Sequence, residues 1–367
     1  MLTGLRGFAA LSVVLIHSGG RTDYPGFGIQ GYGPVALFVL SGFLLYRPWS
    51  MWALRDGRRP SVRTFARRRI SRIFPAYLVV VLALAVIYPA SQPSGFDGWL
   101  RALTLTHTFA SDGLRPGLEQ TWSLGTELTW YVALPVMGLV AGGLARRQGP
   151  RRGFWIVVGA LALSVPVTAA WRWYVHAEGL GPRFTYSFWL PGFLACFAVG
   201  AAVAHLLSAE KAGVVALPRL RSVAASSWVL LAVAVVAVAI GTSSLGGPDA
   251  YTPATFSERQ VRFVCATVLA GSLLLAAAFG PASTPVNRVL ASRWMSAVGR
   301  WSYGIYLWHL PLIALFADSF EWRSGISGFV LWVGFITALA VPLGAATYAF
   351  VERPAIAWSK KGSPVRA

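Results

Sequence analysis

Acidic residues are scarce in this 367-residue chain: 13 Asp and Glu stand against 32 Lys and Arg, and charged residues of both signs total only 12%. Soluble domains carry about 25%, so a soluble globular class is excluded. Cysteine is nearly absent. Cys196 and Cys265 are alone, each within an apolar run, which leaves no disulfide framework and no cysteine-based zinc site and makes both small packing residues. The chain also lacks internal repeats of about 20–50 residues, a low-complexity tail and any non-apolar stretch as long as a soluble domain. An alternative start, with Arg6 and Phe8–Ile16 as a secretory signal, lacks its cleavage site: Ser18-Gly19-Gly20-Arg21 stands where an Ala-x-Ala pattern belongs.

What is abundant is apolar. Hydrophobic residues make up 56% of the chain, mean hydropathy is +0.58, and 16 Trp with 12 Tyr are enough for two interfacial aromatic belts. Runs of the length that spans a bilayer, about 20 residues, are read at ten places: 4–20, 34–50, 73–91, 121–144, 154–174, 186–207, 224–242, 261–280, 300–318 and 326–350. The expected fold class is therefore an all-α polytopic integral membrane protein of about ten transmembrane helices. It forms a single domain over 1–367 with its core at 4–354, and no separate soluble domain is expected. Between the spans, Trp99–Phe109 has the apolar bias of a helix on the outer leaflet, and 242–259 is Gly/Pro/Ser/Thr-rich and irregular. Val286, Leu290, Trp294 and Val298 recur at helical spacing, which predicts one interfacial amphipathic helix over 285–299.

The net charge of +19 could suit a nucleic-acid binder, but its distribution is that of a membrane protein. The loop between the second and third spans carries nine arginines from Arg47 to Arg72, and with every second loop from there one side collects 24 of the 32 basic residues. Such asymmetry marks the cytoplasmic side. Both termini are expected in the cytoplasm, in a multi-pass protein of the inner membrane, with no nucleic-acid partner.

Against this background the polar groups within the spans stand out. Glu127 lies in Gln120-Thr121-Trp122-Ser123-Leu124-Gly125-Thr126-Glu127, with apolar residues running on from Val132 to Leu144. A carboxylate at that depth costs at least ~2.5 kcal/mol and by default marks a working site. Arg6 and His17 lie on the first span and His309 on the ninth. A carboxylate among such groups holds its charge, and its partner, when an arginine or histidine stands beside it. Trp122 and Tyr131 flank Glu127 within two turns, as interfacial aromatics or as the lining of the same cavity.

Six blocks in order carry a family resemblance over residues 4–354. They are Gly4-Leu5-Arg6-Gly7-Phe8 running to His17; Gly33-Pro34 through Ser41-Gly42-Phe43; Arg68-Arg69-Ile70-Ser71-Arg72-Ile73-Phe74-Pro75; Trp122-Ser123-Leu124 with Glu127 and Tyr131; Trp301-Ser302-Tyr303-Gly304-Ile305-Tyr306-Leu307-Trp308-His309; and Glu352-Arg353-Pro354. Together they resemble the membrane acyltransferase-3 family, the O-acyltransferases of glycans and natural products. Two departures are Thr3, where the family usually has Asp, and Leu128, where it often has a second acid.

The resemblance implies transfer of an acetyl or other short acyl group from cytoplasmic acyl-CoA to a hydroxyl-bearing sugar or natural-product acceptor, such as a macrolide, with no metal. His17 and Arg6 are eleven residues, ~16 Å, apart along one helix. An imidazole titrating near neutrality suits deprotonation of a hydroxyl or carriage of the acyl group, so His17, Glu127 and Arg6 are the catalytic candidates. Arg69 and Arg72, three apart on one helix face before a span, suit the phosphates of coenzyme A through forked hydrogen bonds, with Arg68 as a third candidate. The other arginines are read as topogenic. Ser41, Trp122, Tyr131, His107 and His309 are substrate-side candidates, with Tyr303 or Tyr306 beside His309. Ser41-Gly42-Phe43 is equally a close helix-packing site. A transporter or flippase for a glycan or lipid-linked substrate is the alternative, and it calls for inverted repeats and matching broken helices that the sequence does not show.

Overall fold

The computed structural model describes residues 1–24, 32–110, 113–181, 185–248, 254–318 and 324–361, and among them the chain is helical, without strands. The first two helices follow the apolar runs closely, α1 Leu2–Gly19 and α2 Tyr32–Ala53, and α3 is Val62–Ile87. α3 begins well before its apolar run, because Ser61 caps it by accepting from the Thr64 amide at 3.3 Å. The arginines from Arg63 to Arg72 are thereby helical, and the three-residue spacing of Arg69 and Arg72 becomes a shared face.

The segment after α3 holds α4, Gly95–Thr104, and a short turn at Thr106–Phe109, where one helix over 99–109 was expected. Leu105 adopts φ 63° between them and ends α4. α5, Trp122–Gln148, carries Glu127. The expected span 154–174 is two helices, α6 Pro150–Ala162 and α7 Ser164–Ala177; Pro166, lacking an N–H, cannot bond to the Ala162 carbonyl. α8, Leu194–Lys211, starts later than expected, after a tight turn at Leu190–Phe193 that contains Pro191.

The span expected at 224–242 is broken, with α9 Pro218–Ala225 meeting α10 Ser227–Gly241 at 75°. α11, Phe256–Phe279, opens on a capping box: Thr255 accepts from the Glu258 amide at 3.3 Å, and the Glu258 carboxylate accepts from the Thr255 amide at 2.7 Å. The single interfacial helix expected over 285–299 is not formed. α12, Pro285–Ala291, stops at Ser292, whose extended backbone and side-chain cap on Met295 (3.2 Å) start α13, Arg293–Phe316. Trp294 and Val298 thus belong to the long helix. α14, Gly325–Thr347, ends in a π-helical turn, Tyr348–Glu352, followed by α15, Arg353–Lys361.

Ten apolar spans were expected; among the described residues eight helical segments are long and apolar enough to cross a membrane, or nine with the broken α9–α10 pair. α13 is the shortfall. At 24 residues it is long enough, but Arg293, Arg300, Ser302, Tyr303, Tyr306 and His309 make it too polar. That polarity is affordable because α13 packs between α1 and α14. Gly7 on α1 lies against Met295 and Gly299, and ten residues on His17 meets His309, so α1 and α13 run parallel. α2 and α8 form the other close pair: a Cβ on Gly42 would land on the Phe197 carbonyl, and one on Gly200 on the Val39 carbonyl. Phe38, Trp49, Trp130 and Phe197 fill the core beside that contact.

Candidate active site

α1, α2, α3, α5 and α13 enclose a cavity of about 280 Å³. Its apolar wall is α2, through Leu37, Phe38 and Leu44. Its polar groups come from the other four helices and Ser41: Arg6; Arg69 and Arg72; Ser123, Glu127 and Tyr131; and Ser302, Tyr303 and Tyr306.

The charged groups hold one another. Glu127 accepts a hydrogen bond from Ser41 at 2.5 Å and interacts with the Tyr131 hydroxyl. Arg6 lies within the fields of Arg72, Glu127 and Glu352. The Arg69 guanidinium sits over the rings of Phe65 and Tyr131, 5.9 and 5.8 Å from their centroids, while its buried Nε has no hydrogen-bond partner. Three guanidiniums therefore face two carboxylates, which leaves a surplus of positive charge and an unused donor beside the cavity.

The opposite part is tied by neutral hydrogen bonds. Tyr303 donates to the Ile73 carbonyl at 2.9 Å and joins α13 to α3. Tyr306 donates to the Gln120 carbonyl at 2.7 Å, and Ser123, at 2.6 Å, completes the hydroxyl pair. Gln120 in turn donates to the Leu307 carbonyl at 2.9 Å. Beyond Tyr306, outside the cavity lining, His309 Nδ1 is 2.6 Å from the Tyr306 carbonyl, and its Nε2 is 3.0 Å from His17 Nδ1. His309 is fully buried and His17 mostly so.

The sequence candidates thus separate. Arg6, Ser41, Arg69, Arg72, Glu127 and Tyr131 line one cavity, and His17 and His309 form a pair behind its wall. Arg68 is exposed on α3, away from the lining. The Trp122 ring stacks on Phe188 at 4.1 Å, and His107 is buried, 2.8 Å from Thr121 and parallel to the Tyr77 ring; neither lines the cavity. Glu352 is the charged group the sequence reading passed over as a site residue. It is 1% exposed, no side chain donates to either carboxylate oxygen, and Arg72 and Arg6 are the cations acting on it, with the Gly304 backbone N–H nearby. Its signal was present, an acid closing the last apolar span. A serine–histidine contact away from the cavity, Ser50 with His205 at 2.7 Å, is fully buried, and His205 also meets the Phe154 carbonyl at 3.3 Å. It ties α2, α6 and α8 together.

Residues 2–349 match the model of the Acyl_transf_3 family, described as an acyltransferase domain. The chain belongs to this family. As an Acyl_transf_3 protein it is a multi-pass membrane acyltransferase. It is 26% identical to acyltransferase MdmB of Streptomyces mycarofaciens, in an alignment covering 99% of this chain and 93% of that protein. It is 25% identical to peptidoglycan O-acetyltransferase OatA of Listeria monocytogenes, covering 88% of this chain but 51% of OatA, so the match spans about half of that relative. No solved structure matches.

Proposed function

We propose that the protein is an O-acyltransferase of the inner membrane. It moves an acetyl or other short acyl group from acyl-CoA, bound from the cytoplasmic side, to a hydroxyl of a glycan, a cell-envelope sugar or a secreted natural product. The observation that carries this reading is the cationic surplus of the cavity: Arg6, Arg69 and Arg72 against Glu127 and Glu352, with the Arg69 Nε unbonded. A donor that brings its own phosphates supplies the missing negative charge. At about 280 Å³ the cavity lies just below the usual range for drug-sized ligands, about 300–1,000 Å³. It suits the thiol arm, with the nucleotide remaining at its mouth against the half-buried Arg69 and Arg72.

In this reaction His17 takes the acceptor's hydroxyl proton, the oxygen bonds to the acyl carbon, and the carbon–sulfur bond breaks. The proton returns to the departing thiolate, giving the ester and free coenzyme A. Glu127, fixed by Ser41, keeps Arg6 in place. The hydroxyl acceptor is supported by the name of OatA, a peptidoglycan O-acetyltransferase, and the near full-length match to MdmB supports acyl transfer itself.

The test uses purified protein in liposomes with labelled acyl-CoA and a panel of hydroxylated acceptors. His17→Ala should lower ester formation by about 10²–10⁴-fold, the usual worth of a positioned base, and leave acyl-CoA affinity nearly unchanged. Turnover close to wild type in that variant would remove His17 from the chemistry.

A further inference from the structure

The protons on the two histidines can be assigned from what each nitrogen faces. His309 Nδ1 lies 2.6 Å from the Tyr306 carbonyl, and a carbonyl oxygen only accepts, so this nitrogen carries a hydrogen. The ring is fully buried, and the groups acting on it are His17 and the Tyr306 and Ile305 backbone, with no carboxylate among them. An imidazolium there would be an uncompensated buried charge, so His309 is neutral and its Nε2 presents a lone pair. His17 Nδ1 faces that lone pair at 3.0 Å. Two lone pairs at this distance repel, so His17 Nδ1 bears the proton. The ring centroids are 5.0 Å apart with planes inclined by 30°, which suits an edge-to-edge N–H···N contact rather than face-to-face stacking.

We infer that His309 is a positioning residue that holds His17 in the tautomer protonated on Nδ1, leaving the lone pair of His17 on Nε2 for the acceptor hydroxyl. The chain of bonds runs from His17 Nδ1–H to His309 Nε2, and from His309 Nδ1–H to the Tyr306 carbonyl in the cavity wall. The unequal burial fits the division of labour: the fully buried ring directs and the less completely buried ring reacts. Because a histidine side chain in water favours the proton on Nε2, an undirected His17 would present an N–H where the reaction needs a base. A base held in the wrong tautomer loses most of its activity. The Val13 carbonyl, one turn earlier on α1, also acts on the His17 ring; sharing the Nδ1–H it favours the same tautomer, so the change in His309→Leu measures what His309 adds.

This inference deepens the reading of His17 as the base and rests on it, so the experiment reads tautomer and turnover separately. The full-length protein is labelled with ¹⁵N-histidine in lipid nanodiscs, and the His17 signals are assigned among the 5 histidines by their loss in His17→Ala. In the wild type, His17 should be protonated on Nδ1 with an unprotonated Nε2. His309→Leu should move it towards the opposite tautomer and lower kcat at least tenfold, while KM for acyl-CoA stays within about twofold of wild type. His309→Gln, whose Oε1 can accept from His17 Nδ1–H, should keep the tautomer and restore most of kcat.

Finding the proton on Nε2 of His17 in the wild type overturns the inference, as does an unchanged tautomer in His309→Leu. The wild-type spectrum and the Gln variant decide it even if the Leu variant fails to fold. A tautomer that moves without any change in kcat upholds the role of His309 and sinks His17 as the base.

Discussion

Arg69 and Arg72 differ from their neighbours in where the guanidinium ends. Arg55 donates to the Arg146 carbonyl, at 3.2 Å from Nε, and so braces the loop. Arg58 and Arg59 are exposed. Arg69 and Arg72 alone among the arginines from Arg47 to Arg72 line the cavity. Replacing either by Ala should raise KM for acyl-CoA about ten- to a hundredfold, the worth of a lost charge-assisted hydrogen bond at roughly 1.5–3 kcal/mol. Lysine should restore only part, since it keeps charge without the fork. Arg55→Ala, Arg58→Ala and Arg59→Ala remove the same formal charge and should leave KM unchanged. Equal effects from all five would make the segment a general electrostatic surface. The residues that reading the sequence brought to the cavity were those whose presence in a span is itself costly, Arg6 and Glu127, or whose spacing set them on one face, Arg69 and Arg72. Trp122, expected at the cavity but absent from its lining, and Glu352, passed over, were misjudged for a non-local reason. The Trp122 ring turns towards Phe188, and the company of Glu352 comes from α1 and α3, neither of which neighbours them in sequence.

At the scale of the helix, apolar length located most elements and failed where a single residue redirects the backbone. Ser292 splits one amphipathic pattern into α12 and the start of α13; the spacing of Val286, Leu290, Trp294 and Val298 carries no trace of the cap. Polarity hid α13 from an apolar count because its polar face is shielded by protein, a property of its neighbours. Pairing of helices was legible only as small residues. Gly42 and Gly200 let α2 and α8 meet backbone to backbone, and this contact positions Ser41 for Glu127. Gly42→Leu should therefore destabilise the fold by at least the usual cost of overpacking, about 1–3 kcal/mol. Thermal unfolding read by thiol labelling of Cys196 and Cys265, both buried, measures it. An unchanged midpoint would mean that α2 and α8 are not in close contact.

For the whole molecule, a ten-span reading divides the basic residues 24 to 8, and we propose the topology that follows from it, which requires α13 to cross. Single cysteines at Gly57, Gln148 and Lys360 should resist an impermeant thiol reagent in intact cells, while those at Ser94 and Ser243 react. Labelling at Lys360 alone among the first three would mean that α13 does not traverse the bilayer. A second consequence of α13 concerns biosynthesis. As it leaves the ribosome this segment is too polar to enter lipid by itself, and its two shelters are the helix made first, α1, and the last long one, α14. Until those close around it, Tyr303, Tyr306 and His309 have no wall to complete. A nascent chain therefore cannot complete the cavity until its final helices are in place.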